Sequence, residues 1–274
     1  MKIWAQTLVK NEARWLWFSV ASVVNHVDKI LLWDTGSTDG TLEIEKELVK
    51  KFPRKIELKE RKVNSAEDFT KVRQEMLDET KSDWFLVLDG DEIWYEYSIK
   101  RVLETIENDG KEIESVVVPT INLVGDIFHF QEASAGRYKF GDRVGHYNLR
   151  AVKRIIPGLH SQGIHGVWGW ADENGKMIQA RNTYKFINTP YFHMTNLRRS
   201  TSDKDVVKRA KKYKYELGES FPLDYYYPEV FFKSKPEIIP SPWKVVNASY
   251  KFRAFFETPL RKIKRKVWKG KAGY

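Results

Sequence analysis

Trp84-Phe85-Leu86-Val87-Leu88 runs without a break into Asp89-Gly90-Asp91-Glu92. An apolar run of five with no polar alternation reads as a strand buried on both faces, and strands of that kind belong to parallel sheets with helices on either side. Acidic residues directly after such a strand lie at the carboxyl edge of the sheet, where open α/β folds bind ligands. Two carboxylates one residue apart, with a glycine letting the backbone turn, can present oxygens to a hard divalent cation such as Mg²⁺ or Mn²⁺, which in turn holds a diphosphate. The same residues also suit a polar turn and helix cap.

Working towards the N-terminus, strands and helices alternate. Ile3 to Val9, Lys29 to Trp33 and Lys55 to Glu60 read as strands; Arg14 to Val24, Gly40 to Lys51 and Ala66 to Thr80 read as helices. Short connections between them imply right-handed crossovers and a mainly parallel sheet. Downstream, Ile99 to Glu107 reads as a helix and Ser115 to Asn122 as a strand, after which the pattern becomes irregular and rich in Gly, His, Trp and Tyr. The second strand ends in Asp34-Thr35-Gly36-Ser37-Thr38-Asp39-Gly40-Thr41. A small-residue turn there leaves backbone N–H groups for an anion, and Asp34 can accept from a base or ribose; an ordinary turn and N-cap cluster has the same composition.

The 274 residues, 42% hydrophobic, are enough for a substantial core, and no cysteine is present. Disulfides, thiolate metal sites and cysteine nucleophiles are excluded, leaving carboxylates and histidines as metal ligands. No run of about eighteen uncharged apolar residues spans a bilayer, and the chain opens on strand-like residues, so the expectation is a cytoplasmic protein. The net charge of +10 is concentrated at one end. Residues 243–274 hold ten Lys or Arg against one acid, Glu257, whereas the first 242 hold 37 basic and 36 acidic side chains. A nearly neutral body argues against a nucleic-acid partner. In the basic end, Phe252, Phe255 and Phe256 before Pro259, and Leu260, Ile263 and Val267 with Trp268 after it, recur at helical spacing. That pattern fits helices lying in an anionic membrane interface, and would place the protein peripherally on the inner face of the cell membrane; a solvated basic end or a helix docked on the body are the other readings.

Taken together, Leu8-Val9-Lys10-Asn11-Glu12, the Asp34 to Thr41 turn, Arg73 within Phe69-Thr70-Lys71-Val72-Arg73, and Asp89-Gly90-Asp91-Glu92 resemble, in order and spacing, the nucleotide-sugar half of family 2 glycosyltransferases of the GT-A fold. The resemblance covers roughly residues 1 to 125. It implies an α/β, Rossmann-like, mainly parallel sheet flanked by helices, and an inverting transferase using a nucleoside-diphosphate sugar donor, a Mn²⁺ or Mg²⁺ ion and a glycan or lipid-linked acceptor. The implied organisation is a nucleotide-sugar half (1–125), an acceptor half (126–200) and a basic helical extension (201–274). Carried over position by position, Asn11, Glu12 and Asp34, with Ser37 and Asp39 in the same turn, border the base and ribose. Arg73 sits near the base or diphosphate, Asp89 helps hold the ribose or sugar, and Asp91 ligates the metal.

The second half resembles the family less. Where the subgroup carries Val-His-Glu, this chain has Ile164-His165-Gly166, so the glutamate expected as base is missing. An inverting displacement still needs a group to take the acceptor proton. Asp172, with Glu173 beside it, is the expected replacement, Asp142 being another option. Trp168 and Trp170 suit an acceptor pocket, since indole faces pack on sugar C–H groups, although burial is the default for Trp. His193, in Tyr191-Phe192-His193-Met194, reads as a last metal ligand from the acceptor side or as a satisfied core histidine. The rival readings are a sugar-1-phosphate nucleotidyltransferase, disfavoured by the lack of a Gly-rich loop with Arg and Lys near the N-terminus, and a non-catalytic nucleotide-sugar-binding protein.

Overall fold

The computed structural model describes residues 1–164, 168–198 and 213–267. Its first half is the expected alternation: β1 (Ile3–Val9), α1 (Leu16–Val23), β2 (Lys29–Asp34), α2 (Thr41–Lys51), β3 (Ile56–Glu60), α3 (Ala66–Glu79), β4 (Trp84–Val87), β5 (Glu92–Trp94) and α4 (Glu96–Asp109). There follow β6 (Ser115–Val124), β7 (Asp126–Phe130), β8 (Tyr138–Phe140), β9 (Arg143–Gly145), β10 (Tyr147–Lys153), β11 (His160–Gln162), β12 (Gly169–Ala171), β13 (Tyr184–Phe186), β14 (Tyr191–Asn196), β15 (Glu219–Ser220) and α5 (Ala248–Val267).

The main sheet runs β15-β7-β6-β10-β4-β1-β2-β3. β3, β2, β1 and β4 are parallel, with Val9 level with Asp34 and Asp34 level with Glu60, so their carboxyl ends share one edge. β1, β2 and β4 are buried on both faces, which is why their sequences are mostly apolar, whereas β3 is the edge strand and alternates apolar Ile56 and Leu58 with charged residues. In β4, Trp84, Leu86 and Leu88 join the large core shared with α1, α2 and α4, while Phe85 and Val87 face the smaller cluster that includes Leu77 of α3. Helix α3 starts where Ser65 Oγ accepts from Asp68 N at 3.1 Å, with Glu67 and Asp68 favourably placed in the first turn.

β10 runs antiparallel between β4 and β6, so a strand from beyond residue 125 completes the sheet begun before it. The boundary expected near residue 125 falls on the tight turn joining β6 to β7 in that sheet, where Gly125 has φ of +79°. β10 carries a bulge between Leu149 and Ala151. Leu149 and Val152 pack into the smaller cluster and Ala151 into the larger one, leaving Arg150 as the extra residue. β14 lies parallel to β6 and antiparallel to β5, setting His193 level with both Asn122 and Glu92.

Among the described residues, the extension expected to be helical over 201–274 is helical over Ala248–Val267, while residues 213–247 hold β15, turns and one short 3-10 helix, Glu229–Phe232. Aromatic contacts explain this: Phe221, Tyr225, Tyr227, Phe231 and Trp243 pack on one another and, through Phe192 and Phe128, on the body. Five of the prolines fall in this stretch, which breaks helical hydrogen bonding. Pro259 does not split α5, which continues through it as one helix.

Candidate active site

At the shared carboxyl edge two of the three acidic residues after β4, Asp89 and Glu92, meet two arginines. Gly90 is the residue that lets them turn: a Cβ there would stand 2.9 Å from Val9 Cγ1 and 3.2 Å from Glu12 Cγ, so the turn lies directly on the end of β1. Arg73, almost wholly buried on α3, donates from Nη2 to Asp89 Oδ1 at 3.2 Å. Arg150, aimed here by the bulge, donates to Asp89 Oδ2 at 3.3 Å and also to Glu92 Oε1. Asp89 thus accepts from two guanidinium groups. Burial lowers the Arg73 pKa, opposed by the charge of Asp89. Its Nε and Nη1 are buried with no hydrogen-bond partner among the described residues, while the ring of Trp168 stacks 4.8 Å from its guanidinium.

Glu92 is fully buried, accepting from Tyr191 Oη at 2.7 Å as well as from Arg150. Burial pushes its pKa up against the pull of Arg150. Tyr191 Oη also accepts from Arg150 Nε at 2.9 Å, so the arginine is fixed from both sides. Arg150, Glu92 and Tyr191 were not among the site residues expected from sequence. Strand periodicity alone turns Arg150 towards a core face, and only the bulge reverses that.

The first two loops interlock beside this cluster. Asn11, at φ +56°, donates its N–H to Ser37 Oγ at 2.9 Å and accepts from Thr38 N at 2.7 Å. Asp34 Oδ1 accepts from the N–H groups of Gly36 and Ser37, whereas Asp34 Oδ2 is buried with no hydrogen-bond partner among the described residues. Asp39 accepts from Thr41 N and Ala13 N, and Glu12 N donates to Thr41 Oγ1, so Ser37 and Asp39 hold the loops together. Asp91, nearly buried, faces His193 across the β5–β14 pair, with Oδ2 to Nε2 at 3.7 Å.

Beyond His193, Asn122 Nδ2 donates to His146 Nδ1 at 2.8 Å, and His146 Nε2–H donates to the Glu132 carbonyl at 3.2 Å, a tautomer assigned from those partners. Burial pushes the His146 pKa down to about 4, keeping the ring neutral. Glu132 in turn pairs with Arg265 of α5 at 3.2 Å.

Two expectations are corrected. Asp172 Oδ1 accepts from Asn174 N and Lys176 N at 3.0 Å each, and Oδ2 pairs with Arg181, which also pairs with Glu114. Glu114 precedes Ser115, and its carbonyl accepts from Lys153, which is level with Trp84. This network therefore sits at the amino edge, about 16 Å along the strand from Asp89 at 3.3 Å per residue. Exposed Glu173 is part of the same turn, its N–H donating to the Pro157 carbonyl. Neither acid is brought to the carboxyl edge. Trp170, 2% exposed, is packed edge-on to Phe85 at 5.2 Å and offers no free ring face to a sugar. Trp168 does reach the cluster. His165 and Gly166, counterparts of the family's histidine and glutamate, lie outside the described residues, as does Trp268.

The glycosyl transferase family 2 profile matches residues 7–154, from β1 through the arginine-bearing strand β10. The chain belongs to glycosyl transferase family 2. Over 85 residues, 31% of this chain and 19% of the relative, it is 35% identical to a TPR repeat-containing protein of Synechococcus elongatus. Among solved structures it is similar to TarS of S. aureus, at 15% identity and a TM-score of 0.48, covering 72% of this chain and 37% of that one. It is also similar to glucosyl-3-phosphoglycerate synthase of Mycobacterium tuberculosis, solved with Mn²⁺ and uridine-diphosphate-glucose, at 16% identity and a TM-score of 0.44, covering 70% and 71%. A third is the mannosyltransferase PcManGT of Pyrobaculum calidifontis, solved with GDP-Man and Mn²⁺, at 12% identity and a TM-score of 0.44, covering 72% and 58%. At these scores the likenesses carry no argument about substrate. The chain spans about a fifth of the first of these relatives and just over a third of TarS.

Proposed function

We propose that the chain is a metal-assisted, inverting glycosyltransferase that moves a sugar from a nucleoside diphosphate to a hydroxyl of a glycan or lipid-linked acceptor. The observation that carries this reading is the buried Arg73, held against Asp89 with two of its donor nitrogens unpaired, at the edge of a family 2 sheet. Buried donors without partners are costly, and a diphosphate supplies the charged acceptors they lack. Asp34 Oδ2, a buried acceptor without a partner among the described residues, suits a base or ribose donor group in the same way. Asp89, oriented by Arg73 and Arg150, accepts from ribose or sugar hydroxyls.

The donor set fits a divalent ion. One carboxylate, Asp91 just before β5, faces one imidazole, His193 on β14, and no cluster of three protein ligands occurs among the described residues. Mg²⁺ and Mn²⁺ habitually complete such partial sets with substrate phosphates and water. When bound, the ion offsets charge on the leaving diphosphate. Arg73 adds its own charge beside the same group, and Trp168, on the Arg73 guanidinium, shields the pair from water.

The test is a thermal-shift screen of UDP-, GDP- and dTDP-sugars with and without Mn²⁺, followed by calorimetry on Asp91→Ala. A ligand that binds only the folded state raises its stability. The expected result is a metal-dependent shift with one nucleotide class, abolished by Asp91→Ala. No shift with any donor, or the same metal dependence in the variant, overturns the assignment.

A further inference from the structure

We infer that α5 docks the protein on an anionic lipid bilayer through the side of the helix turned away from the body. Along α5, Tyr250, Ala254 and Thr258 are buried, and Arg261 and Arg265 reach the Tyr215 carbonyl and the Glu216 carboxylate. These positions recur at four, four, three and four residues, one stripe of a helix advancing about 100° per residue. Phe252, Phe255, Phe256, Leu260, Ile263 and Val267 are between 57% and 79% exposed and form the opposite stripe. An outward face made of six large apolar side chains is rare on a soluble surface, where such groups occur singly.

What borders that face identifies its occupant. Lys251, Lys262 and Lys266 lie along one flank and Arg253 and Lys264 along the other, all exposed. Among the described residues Lys251, Lys264 and Lys266 form no ion pair. An apolar centre with cations on both flanks matches a bilayer interface, where the centre enters the acyl boundary and the flanks meet anionic headgroups. A second copy of the chain does not match, because stacking two such faces brings like charges together, and the one carboxylate of α5, Glu257, is already taken by Arg253 and Arg261.

The docking is rigid with respect to the body. Arg265 joins Glu216 and Glu132, the Arg137 guanidinium donates to the Arg265 carbonyl at 2.8 Å, and Tyr250 Oη donates to the carbonyls of Lys214 and Glu216. A bilayer on the outer face of α5 therefore fixes the orientation of the sheet. Resting on the transferase reading, this favours an acceptor carried in or beside that bilayer.

The experiment is co-sedimentation of the full chain with phosphatidylcholine vesicles with and without phosphatidylglycerol, at low and high salt. Ile263→Asp with Phe256→Asp, and separately Lys264→Glu with Lys266→Glu, alter only exposed positions; thermal unfolding checks that they fold as the parent does. At about fivefold in partitioning per basic residue, the lysine pair is expected to reduce binding to anionic vesicles by well over tenfold, and the apolar pair, which removes two large side chains from the acyl boundary, by at least as much. The parent should bind anionic vesicles only and be released by salt. Three results overturn the inference: parent protein remaining in the supernatant, apolar variants that bind as the parent does, or a dimer in lipid-free sedimentation velocity that Ile263→Asp dissolves. Donor binding, measured in parallel without vesicles, separates failure here from failure of the transferase reading.

Discussion

Replacing Glu45 by glutamine should make the protein more stable above neutral pH and leave it unchanged below about pH 5. Glu45 lies on the inner face of α2, fully buried, with neither carboxylate oxygen hydrogen-bonded. Burial, and then the nearby charge of Asp34, pushes its pKa from 4.5 up to about 9. The folded state therefore keeps a proton that the unfolded chain has released. Its stabilising effect is complete below the unfolded value and is lost as pH rises towards the folded one. At about 1.4 kcal/mol per pH unit, the loss between pH 5 and pH 8 is about 4 kcal/mol, a large part of the stability of a typical domain. Glutamine keeps the shape and is neutral throughout, so urea unfolding of the two proteins should coincide at pH 5 and separate by about that amount at pH 8. Other titrating groups are common to both and cancel in the difference. Parallel pH profiles, or a variant less stable at pH 8, would refute a neutral Glu45 beside Asp34.

Asp172→Asn should lower the unfolding temperature by a few degrees, through loss of the ionic contact with Arg181, while donor binding and transfer rate are retained. A hundredfold fall in transfer with normal stability would return the residue to the chemistry. Trp170→Ala should cost about 3–5 kcal/mol in chemical unfolding, as core aromatic truncations do. Trp168→Ala, which uncovers the Arg73 guanidinium, should instead weaken nucleotide binding more than stability, by calorimetry against denaturant midpoint.

The parallel half of the sheet was legible because its strands are buried on both faces, so Trp84 to Leu88 and Lys29 to Trp33 announce themselves by composition alone. The loops after β1 and β2 were legible for a different reason: small polar residues at strand ends have few other uses. Arg150 was hidden because a bulge shifts side-chain direction without marking the sequence. Asp172 misled because an acid after a Trp-Gly-Trp run looks loop-borne, whereas its oxygens are taken up by backbone N–H groups and Arg181. Trp170 misled for the converse reason, its partner Phe85 being far away in sequence. The apolar spacing of the tail was visible from the start, but which of its stripes faces the body depends on Tyr215, Glu216 and Glu132 and not on the helix itself.

The insertion of β10 between β4 and β6 has a consequence for the order of events during synthesis. Everything that the first hundred residues bring to the carboxyl edge is made early, yet the sheet at that point has a gap where residues 147–153 will lie. Asp89 meets Arg73 first, and Glu92 gains a guanidinium partner, and Asp89 its second, only when Arg150 emerges and its strand zips in between neighbours already translated. A nascent chain released before that point holds clustered acids with half their neutralising charge and two open strand edges. Nucleotide affinity in chains of increasing length should thus appear as a step once β10 has left the ribosome, marking the moment at which the catalytic edge first exists.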